Sequence, residues 1–353
     1  MKRLVILGGG YGGYQILQTM LQKGLPQDIH ITVIDRNPYH SLKTEFYAVA
    51  SGTVSDKQVR MNFPTHEQIH YLFHEIISID VHKKQVELRP YGHVEYDYLV
   101  IGLGCEDNYH NITGAEEFTQ SVQTMKKARK ASYALNNLDA GKNVVIVGAG
   151  LSGIEVAAEL RESRSDLNIR LLDRGDSVLR GFDAKIQQYV EKWFFEHDIE
   201  VLHRSNIEYV EKNAVCNNGM CMLADEIVWT AGVQPNVLVR NLPFEKDRFG
   251  KVVINEYYQV PSAQDVFVIG DCASSPLPPS AQLAQQQAKQ LVSILLCMLK
   301  NKQLAKPKEI KSKGVLGSLG HHDGFGDMFN LPFTGLVPRI AKSGVLWIHK
   351  RHD

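Results

Sequence analysis

The 353-residue chain lacks an excess of charge of either sign, with 39 Lys and Arg against 39 Asp and Glu. A balanced surface excludes a general polyanion binder, so no nucleic-acid partner is expected. Cysteine is scarce: the five residues, at 105, 216, 221, 272 and 297, are scattered. That excludes a disulfide scaffold, and no cluster has the spacing of a zinc or iron–sulfur site, so no metal is expected. Long apolar runs are missing too. The longest, Leu291 to Leu299, includes a serine and is far too short to span a bilayer. Lys2-Arg3 before Leu4–Leu7 looks like the start of a secretory signal, but glycines follow at once and no cleavage-like site does. The expectation is a cytoplasmic globular protein, long enough for two domains and a small third.

Glycine, by contrast, is concentrated where it carries chemistry. Leu4-Val-Ile-Leu-Gly-Gly-Gly-Tyr-Gly-Gly13 is an apolar strand pattern ending in G-x-G-x-x-G (Gly8, Gly10, Gly13), and a helical pattern follows over 14–21. In such a turn the first glycine permits the tight bend, the second lets a pyrophosphate approach the backbone, and the third lets helix and strand pack closely. The helix N-terminus offers free N–H groups and a positive dipole end to the phosphates. A second strand pattern, Ile29–Ile34, ends in Asp35, 22 residues past Gly13, where a carboxylate accepts ribose hydroxyls.

The pattern then recurs. Asn143–Val147 leads into Gly148, Gly150 and Gly153, a helical stretch covers 154–160, and Asn168–Leu172 ends in Asp173, 20 residues past Gly153. The two fingerprints start 140 residues apart. Two complete units predict two bound dinucleotides, most simply a flavin and a nicotinamide between which hydride passes. Asp173 would repel a 2′-phosphate by about 1–4 kcal/mol at surface-like dielectric, which favours NADH over NADPH. Arg174, next in sequence, works against that preference.

On these residues the chain resembles the two-dinucleotide-binding-domain FAD/NAD(P) flavoproteins. Within them it is most similar to the type II NADH dehydrogenases, the NADH:quinone oxidoreductases. Asn37-Pro-Tyr-His40 through Tyr47–Gly52 is similar to the family segment that runs beneath the flavin ring. Leu99–Gly104 and Val228–Gly232 resemble the two crossings between domains. Val266–Ala273 resembles the late flavin motif, whose aspartate, here Asp271, bonds the ribityl chain. Ala281-Gln-Leu-Ala-Gln-Gln286 fits the A-Q-x-A-x-Q quinone-site motif, and its Gln282 and Gln286 share one helix face. Lys313–Gly320 matches the C-terminal signature.

The resemblance implies an α/β fold of two Rossmann-like dinucleotide-binding domains, an FAD domain with an inserted NAD domain, plus a short C-terminal segment. The implied boundaries are 1–115 for the first part of the FAD domain, 116–240 for the NADH domain, 241–310 for the rest of the FAD domain and 311–353 for the C-terminal segment. It implies FAD contacts from Gly8, Gly10, Tyr11, Gly12, Gly13, Asp35, Arg36, Thr44, Gly104, Gly270, Asp271, Ala281 and Gln282. NADH contacts are implied from Gly148, Gly150, Leu151, Ser152, Gly153, Asp173 and Gly232. Glu155, Gln282 and Gln286 are the candidate catalytic residues. Glu155 matches a family glutamate close to nicotinamide and flavin; its plainer reading is an acid near a helix N-terminus, favoured by the dipole. The implied reaction carries hydride from NADH to FAD and electrons on to a quinone, in a homodimer.

The chain also departs from that pattern. Only Gly335 to Asp353 stands where the family usually continues with membrane-docking helices. Read as a helix, this tail places Val337, Ile340, Ala341, Val345 and Ile348 on one side, flanked by Trp347, and Arg339, Lys342 and Lys350 largely on the other. From Asn301 onward there are 9 Lys or Arg against 4 Asp or Glu. Such a tail suits an anionic lipid surface at the inner face of the cell membrane, or packing on the body or a dimer partner. Lys342 is also a candidate for a family lysine near the quinone pocket. Residues 37–52 contain no cysteine, so the thiol chemistry of disulfide reductases has no place there. Cys216 and Cys221 flank Asn217-Asn218-Gly219 and read as hairpin residues rather than a redox pair. Cys105, Cys272 and Cys297 read as packing residues, His40 as structural, and His321-His322 as loop. Two other functions stay open: a soluble NADH-dependent reductase of a non-quinone acceptor such as a small redox protein, and a redox sensor that holds FAD and NADH with little turnover.

Overall fold

A computed structural model describes residues 1–328 and 331–351, with the side chains of the last helix described through Gly344. Two apolar sheets organise it. The first has six strands in the order Gln259–Val260, Ala263–Val268, Tyr98–Ile101, Lys2–Leu7, Ile29–Ile34 and Ile69–Leu72; all pairs are parallel except the Gln259–Val260 edge. The stretches 4–7, 99–101 and 266–268 are apolar because both faces of the sheet are covered there. Leu4 and Ile6 pack with Ile16, Leu17 and Met20 of the Tyr11–Lys23 helix and with Leu291 and Leu295 of the Ala281–Leu299 helix. Val5 and Leu7 point the other way, into Val86, Leu88, Val266 and Val268. Val86 and Leu88 belong to a three-stranded antiparallel layer, Glu75–Asp80, Gln85–Arg89 and Gly92–Glu95. The period of two along a strand thus sorts one sequence into two cores.

The second sheet repeats the plan. Five parallel strands run in the order Gln120–Ser121, Glu226–Trp229, Asn143–Val147, Asn168–Leu172 and Ile199–Leu202. Val144 and Ile146 face the Leu151–Ser163 and Ala184–Glu196 helices, while Val145 and Val147 face a second antiparallel layer, Ile207–Glu211, Ala214–Asn217 and Met220–Leu223. Where the chain passes between the two halves, Cys105–Asp107 pairs antiparallel with Val233–Pro235. A third antiparallel sheet, Val315–Leu319, Asp323–Met328 and Leu331–Thr334, precedes the Leu336–Arg351 helix. Leu319 and Phe325 of this sheet close the core over the Leu151–Ser163 helix.

The tail forms a helix as expected. Of its apolar side Val337 and Ile340 are exposed, as is Leu336, while Lys342 of the basic side is buried. Packing on the body, rather than hydropathy, decides which face turns inward, and Lys342 has acidic partners there. Val345, Trp347, Ile348 and Lys350 have side chains outside the described residues. Cys216 and Cys221 are hairpin residues as expected, facing each other across a two-residue Asn218-Gly219 turn with both φ positive. They are also joined by a disulfide, because direct opposition brings their Cα atoms to 3.9 Å. No helix among the described residues is long and apolar enough to cross a membrane.

Candidate functional site

Each fingerprint builds a cradle at the C-terminal edge of its sheet, and the two cradles match atom for atom. Gly8 and Gly148 end their strands with φ of +96° and +106°, a region that disfavours any side chain. A Cβ on Gly13 would lie 2.0 Å from the Gly8 carbonyl oxygen, and one on Gly153 would lie 1.9 Å from that of Gly148. At Gly10 and Gly150 a Cβ would meet nothing within 4 Å. These two residues are the N-caps of the following helices, which have neither a side-chain cap nor an acid in the first turn. Free N–H groups thus face open space at a positive dipole end, which suits a pyrophosphate.

The acids are held in matching ways. Asp35 Oδ2 accepts from Gly9 N–H (2.7 Å) and its Oδ1 from Asn37 N–H (2.8 Å). Asp173 Oδ2 accepts from Ala149 N–H (2.9 Å) and its Oδ1 from Gly175 N–H (2.7 Å). Each carboxylate is therefore fixed beside its glycine turn with lone pairs left for ribose hydroxyls. The residues present fit two dinucleotides.

The other expected cofactor contacts surround these cradles. Tyr11 and Gly12 lie in the first turn of the Tyr11–Lys23 helix, and Leu151 and Ser152 open the Leu151–Ser163 helix. Arg36 follows Asp35 directly. The Thr44 hydroxyl is 2.9 Å from that of Tyr11. His40 is buried, with Nδ1 2.9 Å from the Gly9 carbonyl oxygen and its ring stacked on Tyr14, and so supports the glycine turn. Gly104 and Gly232 sit in the two crossings. Gly270 and Asp271 form a single helical turn, Gly270–Cys272, after the Ala263–Val268 strand. The Cys105 thiol donates to Asp271 Oδ2 (3.0 Å); burial pushes that thiol up to about 12, so it stays protonated beside the carboxylate. Gln287, indistinguishable by sequence from its neighbouring glutamines, is buried and accepts from Gly270 N–H (2.7 Å). That bond ties the Asp271 turn to the Ala281–Leu299 helix.

Between the two cradles lies a buried polar cluster that only the tertiary structure assembles. The Lys342 ammonium reaches in from the last helix and donates to a Glu155 carboxylate oxygen, to the Ser318 hydroxyl (2.9 Å) and to the Tyr47 hydroxyl (3.0 Å). Glu155 also accepts from Ser318 N–H (3.1 Å). Glu45 Oε1 lies 4.0 Å from the Lys342 nitrogen and has no hydrogen-bond partner, while the Tyr47 hydroxyl donates to its Oε2 (3.3 Å). Burial drives the Glu45 carboxyl up to about 7 against the pull of Lys342. Burial raises Glu155 as well, again opposed by Lys342. Burial also disfavours the Lys342 charge, but Glu155, Tyr47 and Glu45 outweigh it and keep the ammonium protonated. Two carboxyls share one cation, which leaves Glu45 able to exchange a proton near neutral pH. Glu155 thus has a specific partner instead of a general dipole role. Glu45 and Tyr47 were missed from the sequence, and nothing in their spacing marks them.

Gln282 and Gln286 do share one helix face, and both turn toward the incoming C-terminal segment. Gln282 Oε1 accepts from Lys313 N–H (2.9 Å), and Gln286 Nε2 donates to the Lys311 carbonyl (3.4 Å). Ala281 opens their helix, capped by Ser280, whose hydroxyl accepts from Leu283 N–H (3.1 Å). Among the described residues no cluster of His, Cys, Asp and Glu suits a metal ion.

Residues 2–288 match the family model described as pyridine nucleotide-disulphide oxidoreductase. The chain is 50% identical to the NADH dehydrogenase-like protein YutJ of Bacillus subtilis (strain 168), covering 100% of both chains. It is 27% identical to the type II NADH:quinone oxidoreductase of Haemophilus influenzae, over 94% of this chain and 88% of that one. Its fold superposes on NDH2 from Plasmodium falciparum, solved in complex with NADH, with a TM-score of 0.86 at 18% identity, covering 99% and 94% of the two chains.

Proposed function

The chain belongs to the pyridine nucleotide-disulphide oxidoreductase family, and on that premise we propose that this enzyme is an FAD-dependent NADH dehydrogenase that passes electrons to a quinone. The duplicated cradle carries the reading: two open glycine turns, each with its own fixed carboxylate, lie one at the edge of each parallel sheet. Bound FAD supplies the two-electron step between NADH and the second substrate. Residues 8–13, Asp35 and Asp271 hold FAD, and residues 148–153 with Asp173 hold NADH. The boundaries 1–115, 116–240, 241–310 and 311–353 place one cradle in each dinucleotide domain. Glu155, held by Lys342, would fix a charge on the helix of the second cradle, and Glu45 shares that cation. Gln282 and Gln286, one helical turn apart, present amides to a quinone carbonyl with the hydrogen-bonding capacity they keep beyond residues 311–313.

The exposed Leu331, Leu336, Val337 and Ile340 give the C-terminal segment an apolar patch suited to the surface of a membrane. One observation favours a second reading. Both motif glutamines already bond the 311–313 backbone, which suits a structural role and a different acceptor, such as a small redox protein.

The test is to mix the protein anaerobically with NADH, follow the flavin absorbance, and then add a short-chain quinone. Bleaching followed by fast reoxidation is expected, and Gln286→Ala should slow the quinone step about 10–100-fold, as for loss of positioned polar contacts, while sparing bleaching by NADH. Bleaching that quinone does not reverse would reject the quinone half, and a protein that takes up no flavin would reject the whole.

A further inference from the structure

The disulfide lies in the half of the molecule that carries the second cradle, and the hairpin it closes is bonded to the loop that holds Asp173. Next to Cys216, Asn217 is buried and its Nδ2 donates to the Ser205 hydroxyl (3.3 Å). At the turn, Asn218 Nδ2 donates to the Arg204 carbonyl (3.1 Å) and Asn218 N–H to the Asn206 carbonyl (3.2 Å). That loop in turn grips the acid: Ser205 N–H donates to the Asp173 carbonyl (2.8 Å), and Arg204 N–H to the Gly175 carbonyl (2.9 Å). Gly175 N–H itself donates to the Asp173 carboxylate (2.7 Å). A continuous set of hydrogen bonds thus runs from the cross-linked hairpin to the carboxylate expected to read the ribose.

The two sulfurs are not equivalent. Cys216 is buried on the central strand, opposite Tyr209 and Cys221, whereas Cys221 is exposed on the edge strand with the Tyr209 hydroxyl 3.4 Å from its sulfur. An exposed sulfur beside a hydroxyl donor is the accessible partner in thiol–disulfide exchange.

We propose that Cys216 and Cys221 form a reversible dithiol–disulfide site that sets how tightly the second cradle holds NADH. The inference rests on the reading of Asp173 as the ribose acid. Oxidation by a small-molecule disulfide is balanced. The Cys221 thiolate attacks one sulfur of the oxidant and releases a first thiol. Cys216 then attacks the mixed disulfide at Cys221, forms the internal bond and releases a second; the two protons lost by the cysteines end on the released thiols. A small-molecule dithiol reverses the step. With the cross-link closed, the turn holds Asn217 and Asn218 against residues 204–206. When it opens, the free edge strand frays and the loop behind Asp173 loosens.

The experiment uses the full-length flavin-loaded protein, oxidised with a small-molecule disulfide or reduced with a dithiol, both then freed of reagent. Thiols are counted after denaturation with a maleimide tag, and NADH affinity is measured by quenching of tryptophan fluorescence. Three taggable thiols are expected after oxidation and five after reduction. Reduction should weaken NADH binding about fivefold, the low end of ordinary coupling between sites, and Cys216→Ser with Cys221→Ser should bind like the reduced protein in both media. The apparent KM for the electron acceptor should stay the same. Five thiols in both media would overturn the proposal, as would a pair that cycles while NADH affinity stays constant. A protein that binds no NADH in either state would overturn the proposed function and this coupling with it, so the two failures can be told apart.

Discussion

At the residue scale, two glycines of the same motif do different work. Gly13 has no room for a side chain and Gly10 has nothing but room. Gly13→Ala is therefore expected to cost about 1–3 kcal/mol through overpacking against the Gly8 carbonyl. Gly10→Ala should fold within about 1 kcal/mol of the parent, as an exchange at an N-cap, yet lose at least about tenfold in FAD affinity, a loss of about 1.4 kcal/mol or more. Melting temperature and flavin retained on gel filtration separate the two effects. If Gly10→Ala keeps its flavin as tightly as the parent, the first cradle does not hold the pyrophosphate. Glu45 offers a second check. Its carboxyl is raised to about 7 in the fold from an ordinary value near 4.5. Between those two values the folded protein holds a proton that the unfolded chain has lost, so stability falls as pH rises through this window. Glu45→Gln should flatten that fall, which a series of thermal melts from pH 4.5 to 8 would show.

At the scale of elements, the terminal helix is the most informative. Lys342 inserts among Glu155, Tyr47, Ser318 and Glu45, and so ties three distant stretches of chain together. Lys342→Met would leave the Glu155 charge buried without its partner and should cost about 3–5 kcal/mol; adding Glu155→Leu should restore most of the loss. Unfolding midpoints of the two variants decide it, and a single variant as stable as the parent would mean that the helix does not depend on this pair. The strand–turn–helix units were legible because three constraints coincide at fixed spacing: apolar runs, glycines and an acid. The Asn-Gly hairpin was legible for a similar local reason. The orientation of the last helix was not. Its apolar and basic sides can be read from the sequence, but which of them packs inward is decided by the surface beneath, which offers carboxylates to Lys342.

For the whole molecule, that orientation has a consequence. Leu336, Val337 and Ile340 are exposed on a C-terminal region that carries more basic than acidic residues. Replacing Leu336, Val337 and Ile340 with Ser should reduce co-sedimentation with anionic vesicles about tenfold, since each buried apolar side chain contributes about 1.5–3 kcal/mol at full burial and less at a surface. NADH oxidation with a water-soluble acceptor should be unchanged. Equal sedimentation of parent and variant would assign the patch to something other than a membrane.

The sequence by itself determined the α/β class, the two dinucleotide units, their cradle residues and the hairpin between Cys216 and Cys221, because each depends on residues close together in the chain. The resemblance it carried to a known family extended that reading to the acceptor motif. The tertiary structure alone decided the rest: the shared cation of Glu155 and Glu45, the anchoring of the Asp271 turn by Gln287, the turning of Gln282 and Gln286 toward residues 311–313, and the cross-link behind Asp173. These depend on burial and on contacts between residues up to 295 positions apart. Desolvation and long-range pairing leave no periodic trace in the sequence, so they become visible only when the chain is folded.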